Sequence, residues 1–232
     1  MSETRRNINL YEKLPYMSIP SSNLSQRTEE IINFDKRIFF ILLVAIFLII
    51  RYLTNELILQ SIPGHRVLER EGALTYFHIF NSLSYIWTPF ALLWKFTLTA
   101  FTIWVGSFMA GYKLSFRLLW QFAMVAEVIF ILPEFILLLW FVGVVEPENF
   151  QDIETFHPLS LYSLLNGAQM DPKYHYPLGA INLFELAYWG LLAIGVHTIS
   201  RKSLNHSLLI VLGSYTFCFL LWLGFYILVY KA

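Results

Sequence analysis

Long apolar runs separated by short polar stretches dominate the chain. The first run begins at Ile38, directly after three charged residues, and continues to Leu59 with an interruption at Arg51. Its length is about 22 residues, and a helix needs about 20 apolar residues to cross the ~30 Å hydrocarbon core of a bilayer. We therefore predict a first span over residues 38–59. We expect Arg51 to extend its guanidinium group toward the lipid headgroups.

The second apolar run is longer than one crossing requires. Residues 77–110 carry one formal charge, on Lys95. We place the crossing at residues 85–110, because that length is sufficient for the hydrocarbon core. Residues 73–84 then form either an interfacial helix that leads into the span or a part of the span itself.

Three more apolar runs predict spans over residues 117–142, 179–200 and 207–230. An acidic loop, Glu146–Leu178, separates the third predicted span from the fourth. Within this loop, apolar residues recur at helical spacing over residues 158–166, with Pro158 suited to a first turn and Gly167 to a C-cap. This pattern predicts a short helix on the membrane surface. The expected fold class is all-α, an integral membrane bundle of five transmembrane helices with short interfacial helices.

The chain divides into a tail and a membrane domain. Residues 1–35 form a polar N-terminal tail, and residues 36–232 form the five-span domain. A short helix is expected to begin near Ser25 or Thr28, because either hydroxyl can cap it. The tail has no apolar run long enough for a cleaved secretory signal.

The distribution of basic residues predicts the orientation of the spans. One side of the predicted topology holds ten basic residues: Arg5, Arg6, Lys13, Arg27, Lys36, Arg37, Lys113, Arg117, Arg201 and Lys202. The other side holds five: Arg51, Arg66, Arg70, Lys173 and Lys231. Because basic residues accumulate on the cytoplasmic side, we expect a cytoplasmic N-terminus and an external C-terminus.

The composition excludes several classes of protein. Apolar residues make up 57% of the chain, charged residues 14% and aromatic residues 18%. A soluble enzyme of this length or a disordered chain would be less apolar. A disulfide scaffold needs more than the single cysteine, Cys218. Sixteen basic residues balance sixteen acidic ones, so no net charge would attract nucleic acid.

Four ionisable residues lie inside predicted spans: Lys95, Glu127, Glu134 and Glu185. Charges in hydrocarbon are costly, and they usually pair or face the interior of a bundle. The helical rise places Lys95 and Glu127 at the same depth of roughly 15 Å, in two adjacent antiparallel spans. We therefore predict a Lys95–Glu127 ion pair.

Glu134 and Glu185 are also predicted to lie at one depth. Two carboxylates at the same level could share a proton or bind a cation. In the simpler alternative, each accepts hydrogen bonds from a hydroxyl, a backbone group or water. The sequence does not decide between these alternatives.

Signatures of catalysis and of metal binding are missing from the sequence. Cys218 lies in an apolar run without a nearby base, and no nucleophile motif or glycine-rich phosphate loop is present. The six histidines show no metal-binding spacing, although His157 and His175 share the acidic loop with several carboxylates. Loop carboxylates of this kind are usually solvated, so we expect no metal site. Because no nucleophile motif and no phosphate loop is present, we also expect no cofactor and no enzymatic activity.

Small residues recur at the spacing of helix contacts. Gly106 is followed by Ala110, and Ser107 by Gly111. Pairs of this kind allow two helix backbones to approach closely in lipid. We expect an internal contact between spans of this chain rather than a dimer interface.

The motifs between the spans resemble those of one known family. They are Gly111–Arg117 before a span that contains Ile131–Pro133, then Pro158–Leu161, Asn182–Glu185, Gly195 and Arg201–Ser203. Together with a basic tail and five spans, this pattern resembles the Yip (Ypt-interacting protein) superfamily, especially its bacterial members, over residues 36–230. The resemblance implies a non-enzymatic integral membrane protein. Rab binding is not implied, because Asn9–Lys13 departs from the Asp-Leu-Tyr-Gly-Pro type motif of the eukaryotic members.

Two functions are compatible with these features. The first is a scaffold or accessory subunit of a larger membrane complex, with the bilayer and other integral subunits as partners, in a bacterial inner membrane. The second is a component of an ion- or proton-coupled permease that uses Lys95, Glu127, Glu134 and Glu185. Five spans without visible inverted repeats argue against an autonomous secondary transporter.

Overall fold

Five helices of the computed structural model, which describes residues 35–147 and 150–230, are long and apolar enough to cross a membrane. We name them span 1 to span 5: Lys36–Ser61, Thr75–Met109, Phe116–Gly143, Leu183–Ser200 and Leu204–Val229. The predicted all-α class and the predicted count of five are confirmed for these residues. The helix expected near Ser25 or Thr28 lies outside them.

The connections define two ends of the bundle. The short turns 110–115 and 201–203 join spans 2 and 3 and spans 4 and 5, so we call their side the turn end. The longer segments 62–74 and 144–182 lie at the opposite end, the loop end.

Span 1 begins at a capped residue and ends before a proline. The Asp35 carboxylate accepts hydrogen bonds from the backbone N–H groups of Arg37 (2.9 Å) and Ile38 (3.4 Å). The helix ends at Ser61, two residues before Pro63, which has no N–H group to continue the ladder. A short helix, His65–Arg70, then leads toward span 2.

Span 2 is one continuous helix of 35 residues. It begins at Thr75, so residues 75–84 belong to the same helix as residues 85–109 and do not form a separate element. At 1.5 Å per residue its length is about 52 Å, which exceeds the hydrocarbon core. Pro89 lies inside it without ending it.

Span 3 is interrupted near its middle. Two α-helical segments, Phe116–Ala126 and Ile131–Gly143, flank a 3-10 turn at Glu127–Phe130. Pro133 lies just after this turn, and a proline removes an N–H group and clashes with the carbonyl group four residues earlier. A change to 3-10 geometry before the proline relieves that conflict.

Span 4 begins later than the sequence predicts. Residues His175–Ala180 form a separate short helix, and span 4 begins at Leu183 instead of residue 179. The reason is a local bridge: Leu161 N–H donates to Ile181 O (3.0 Å), and Leu183 N–H donates to Leu159 O (3.0 Å). This pairing holds the backbone extended just before the helix. Span 4 is therefore about 27 Å long, against about 40 Å for spans 1, 3 and 5.

The loop Phe150–Asn182 occupies the space beyond the short span 4. Phe156 packs on Trp140 and Phe141 of span 3, with ring centroids 5.9 and 5.2 Å apart. On the other side, Tyr176 lies 4.7 Å from the ring of Tyr226 in span 5. The loop is thus packed between two spans at the loop end.

The helix predicted over residues 158–166 is shorter in the structure. It covers Leu161–Leu164 and is capped by Ser160 in a capping box with Ser163. Pro158 precedes the helix instead of forming its first turn, and Gly167 begins a 3-10 turn instead of capping it. The Ser160 hydroxyl is the stronger start signal, because it accepts from the Ser163 N–H group (3.2 Å).

Span 5 begins at Leu204 and contains a π-helical turn, Leu212–Thr216. This turn packs against Gly106 of span 2, where an added Cβ atom would lie 2.3 Å from Ser214 Cβ. Ser107 is fully buried beside it. Ala110 and Gly111 are exposed in the turn after span 2, and Gly111 has a φ of 82°. The close helix contact is therefore internal and falls on Gly106 and Ser107.

The hydrophobic core lies among spans 2 to 5 on the turn-end side. Its centre includes Ala100, Leu192 and Val211. Gly195 of span 4 allows Phe122 to approach, since an added Cβ atom would lie 2.2 Å from Phe122 Cδ1. Span 1 packs on the outside of this core, and three of its 26 residues are buried.

Candidate functional site

A buried ion pair joins spans 2 and 3. The Lys95 Nζ atom lies 2.5 Å from Glu127 Oε1, as the helical rise predicts. The Glu127 side chain is 2% exposed and that of Lys95 is 41% exposed, so the carboxylate is enclosed and the ammonium group reaches a more open region. The ammonium group also lies 3.7 Å from the centroid of the Phe130 ring. The pair and the ring together stabilise a charge that is costly at this depth.

The 3-10 turn explains why one ammonium group contacts both residues. Residues three apart are eclipsed in a 3-10 helix, whereas they are offset in an α-helix. Glu127 and Phe130 are the first and last residues of the turn, so their side chains lie on the same face. Lys95 of span 2 faces that side.

The two carboxylate oxygens of Glu127 differ in their hydrogen-bond partners. Oε2 is buried and accepts no hydrogen bond within the described ranges. The Tyr188 hydroxyl is a hydrogen-bonding neighbour of this carboxylate, and it also donates to Thr99 Oγ1 (3.4 Å). Buried polar atoms usually have a partner. An unpartnered acceptor at this position favours a ligand or water that donates a hydrogen bond.

Glu185 belongs to a second polar group, between spans 4 and 5. Its Oε1 atom accepts hydrogen bonds from Trp189 Nε1 (2.8 Å) and from the Tyr215 hydroxyl (3.1 Å). The Asn182 side chain accepts from the Glu185 N–H group (2.9 Å) and caps the helix. A carboxylate in the first turn of a helix is also favoured by the helix dipole.

Glu134 and Glu185 do not lie at one depth. Glu134 is about 27 Å from the turn end of its span and Glu185 about 22 Å from that of span 4. Glu134 interacts electrostatically with Arg51, whereas Glu185 interacts with Lys95 and Glu127. The predicted shared depth differs from this count by about 5 Å, whichever residue begins span 4, because both distances are taken from the turn end.

A cavity of about 540 Å³ lies above the ion pair, toward the loop end. Its lining residues come from spans 1, 2 and 3 and from the loop: Phe47, Arg51, Trp87, Thr88, Ala91, Leu92, Lys95, Glu127, Phe130, Pro133, Glu134, Leu137, Ile153, Glu154, Phe156, His157, Pro158, Gly179 and Asn182. A smaller cleft of about 290 Å³ shares Arg51, Thr88 and Glu134 with it and adds Thr54 and Asn55. Arg51 thus borders both spaces next to Glu134, and it is an exposed residue.

An aromatic stack in the loop borders the cavity. The Tyr162 ring lies edge-on between His157 and His175, with centroid distances of 5.1 and 5.3 Å. Burial, and secondarily the neighbouring His175, lower the pKa of His157, which favours its neutral form. Gly179 makes room for this histidine, since an added Cβ atom would lie 3.1 Å from its ring.

The acidic loop does not assemble a metal site in the described part of the chain. No group of three His, Cys, Asp or Glu residues there is close enough to hold an ion. Asp171 pairs with Lys173 (3.2 Å), and hydrogen bonds from the Lys173 backbone and side chain lower the pKa of that carboxyl. Cys218 is exposed on span 5.

Sequence reasoning missed three residues of the cavity: Arg51, His157 and Asn182. The signal for Arg51 was its position near the centre of an apolar run, opposite an acidic residue of another span. Asn182 is a strong N-cap residue directly before an apolar run, and this pattern alone predicts a helix start at Leu183. No pattern in the sequence points to His157.

Comparisons of the chain with protein-family models, with curated proteins and with solved structures found no match. The functional argument therefore depends on the buried ion pair, the second polar group and the cavity.

Proposed function

We propose that this multi-pass helical membrane protein is a non-enzymatic scaffold or accessory subunit of a larger membrane complex. The observation that carries the proposal is that charged side chains in the interior of the bundle connect neighbouring helices. Lys95 and Glu127 join spans 2 and 3, and Glu185 joins spans 4 and 5 through Tyr215, while Trp189 of its own span donates to the same carboxylate oxygen. Charges held by internal partners favour a fixed bundle over one whose helices exchange partners.

The weak packing of span 1 supports the same role. Its apolar outer residues, including Leu42 and Ile49, are exposed, and only one side of the helix contacts spans 2 and 3. This outer side is available to a helix of another subunit.

Purification of tagged protein in a mild detergent tests the proposal. We expect a stoichiometric membrane partner that mass spectrometry identifies. Ile49→Trp on the outer side of span 1 should release it, whereas Leu221→Trp on span 5 is the matched control, since these residues are 59% and 57% exposed. Recovery of the wild-type protein without any stoichiometric partner would contradict the proposal.

The resemblance to bacterial Yip proteins supports a bacterial plasma membrane location. The basic residues at the turn end support a cytoplasmic N-terminus and an external C-terminus. A cysteine at position 170, in a Cys218→Ser background, should react with an impermeant reagent added outside intact cells. Labelling only after the cells are opened would show that position 170 faces the cytoplasm, which contradicts the proposed orientation.

A second candidate function is a component of an ion- or proton-coupled permease. The cavity that reaches Lys95 and Glu127, and the unpartnered Glu127 Oε2 atom, favour it. Reconstituted protein should then move protons in liposomes that contain a pH-sensitive dye. Glu127→Gln and Glu134→Gln should reduce the flux and Glu56→Gln should not; a flux that all three variants preserve would exclude this role.

A further inference from the structure

The short span 4 leaves its N-terminus deep inside the bundle. Its first residue, Leu183, lies about 27 Å from the turn end, whereas neighbouring spans continue to about 40 Å. Non-helical backbone at membrane depth is tolerated where it is buried in protein or lines a water-filled cavity. The segment before span 4 fits both conditions, because Gly179 and Asn182 line the cavity of about 540 Å³.

The N-terminus of this 18-residue helix makes one side of the cavity favourable for an anionic group. The positive end of the helix dipole lies there, and the N–H groups of Leu183, Glu185 and Leu186 already donate to Leu159 O, Asn182 Oδ1 and Asn182 O. Asn182 caps one N–H group and lines the cavity, and Arg51 lines it from span 1. An oxyanion in the cavity therefore has the Arg51 guanidinium group as its donor, near the positive end of this helix dipole.

Glu127 favours a group of the opposite charge, a cation, in the same cavity. Glu127 is 1% exposed and lines the cavity. Its Oε2 atom has no hydrogen-bond partner within the described ranges. Such an atom needs a hydrogen-bond donor, and Glu134 adds a second carboxylate to the same cavity. A cationic donor such as an ammonium group satisfies both.

A ligand with a single charge does not fit this arrangement. A simple cation would meet Lys95 and Arg51, and a simple anion would meet Glu127 and Glu134. We propose that the cavity binds a zwitterion in which an ammonium group and an oxyanion are separated by a short chain, as in phosphoethanolamine. The oxyanion lies toward Arg51 and the start of span 4, and the ammonium group toward Glu127 and Glu134.

The volume and the apolar walls agree with such a ligand. A water molecule takes up about 30 Å³ of liquid, so the cavity has room for a group of this size together with several waters. Trp87 can contact the methylene groups and attract the ammonium group through its ring face, whereas the Phe130 ring already contacts the Lys95 ammonium group. The zwitterion could be a free solute or the headgroup of phosphatidylethanolamine.

Two binding measurements on the full-length protein distinguish these sources. One is the thermal unfolding temperature in detergent, measured with increasing free phosphoethanolamine. The other is lipid retention in native mass spectrometry after purification from nanodiscs of phosphatidylethanolamine mixed equally with phosphatidylcholine and phosphatidylglycerol. A saturable rise in unfolding temperature identifies a free solute, and selective retention of phosphatidylethanolamine identifies a lipid headgroup; either result supports the site.

Variants locate the binding. Arg51→Gln and Glu134→Gln should each weaken binding at least tenfold. Arg117→Gln and Glu56→Gln, which remove exposed charges outside the cavity, should leave it unchanged. Arg51 and Glu134 are themselves partly accessible, and size-exclusion chromatography confirms that their variants are folded before binding is measured.

Two results would overturn the proposal. One is the absence of both the thermal shift and the lipid selectivity in the wild-type protein. The other is binding that folded Arg51→Gln and Glu134→Gln retain at full strength. Because none of these measurements needs a partner subunit, their failure is separate from a failure to purify a membrane complex.

Discussion

Removal of Lys95 should destabilise the protein more than removal of the whole ion pair. In Lys95→Met the side chain keeps most of its length but loses its charge, so the Glu127 carboxylate is left enclosed without its partner at 2.5 Å. Breaking a buried pair from one side costs about 3–5 kcal/mol. Since Lys95 is 41% exposed, part of its charge is screened, and we expect a loss near the lower limit, about 3 kcal/mol.

The double variant separates pairing from burial. In Lys95→Met/Glu127→Met no charge remains, and apolar replacement of a buried pair is often neutral or stabilising. We expect the double variant to recover at least about 2 kcal/mol relative to Lys95→Met. Denaturant titration in mixed micelles, followed by tryptophan fluorescence, measures all the unfolding free energies under one condition. Leu98→Met, at an exposed position of the same span, is the control and should change stability by less than about 0.5 kcal/mol.

Two results would refute this reasoning. If Lys95→Met unfolds at the same denaturant concentration as the wild-type protein, Glu127 does not depend on Lys95. If the double variant is no more stable than Lys95→Met, the loss comes from packing around position 95 and not from an unpaired carboxylate.

Three further predictions follow from the packing and from the loop. Gly106→Ala should destabilise by about 1–3 kcal/mol, because its Cβ atom would lie 2.3 Å from Ser214 Cβ, whereas Gly190→Ala, which enters open space, should not; thermal unfolding in detergent compares them. The pKa of His157 is lower in the folded protein than in the unfolded chain, so the unfolded chain takes up the proton at a higher pH. The stability that the neutral ring contributes is therefore lost as the pH falls below about 6.5. The protection of residues 150–182 against hydrogen exchange, after correction for the intrinsic exchange rate at each pH, should therefore fall between pH 7.5 and 5.5 in the wild-type protein and less so in His157→Phe; equal changes in both would contradict this. Asn182→Ala should cost about 1 kcal/mol by removing the N-cap of span 4, with faster exchange at the start of that helix and no change in span 2; an unchanged exchange rate there would show that the bridge alone fixes the helix start.

The depth of a charged residue was predictable where a tight turn fixes the nearby end of its span. Glu127 is counted from the short turn 110–115, and the regular rise of the helix carries that reference to the middle of the bundle. Lys95 is counted instead from residue 85, the predicted start of its crossing, although the helix begins at Thr75. Glu185 is counted from the loop end, where residues 175–182 are apolar enough to begin a span. The start of span 4 is set instead by the bridge between Ser160 and Asn182, a tertiary contact that hydropathy does not contain.

Arg51 shows a second limit of sequence reasoning. An arginine within an apolar run can reach the headgroups or a polar interior, and both satisfy the guanidinium group. The choice depends on which face of span 1 contacts spans 2 and 3, and all faces of that helix are apolar. The sequence therefore predicts the span but not the rotation that places Arg51 beside Glu134.

The backbone irregularities of spans 3, 4 and 5 have a common consequence, since each positions one polar side chain of the interior. The 3-10 turn places Glu127 and Phe130 on one side of span 3, facing Lys95. The late start of span 4 places Glu185 in its first turn, and the π-helical turn of span 5 includes Tyr215, whose hydroxyl group reaches Glu185. Regular helices cross a membrane at a lower free-energy cost, because all their backbone groups are hydrogen-bonded within the helix. Interruptions of this kind are frequent at functional sites. Their convergence on the polar interior, below a cavity with an unpartnered carboxylate oxygen, is the strongest structural reason to look for the protein's ligand there.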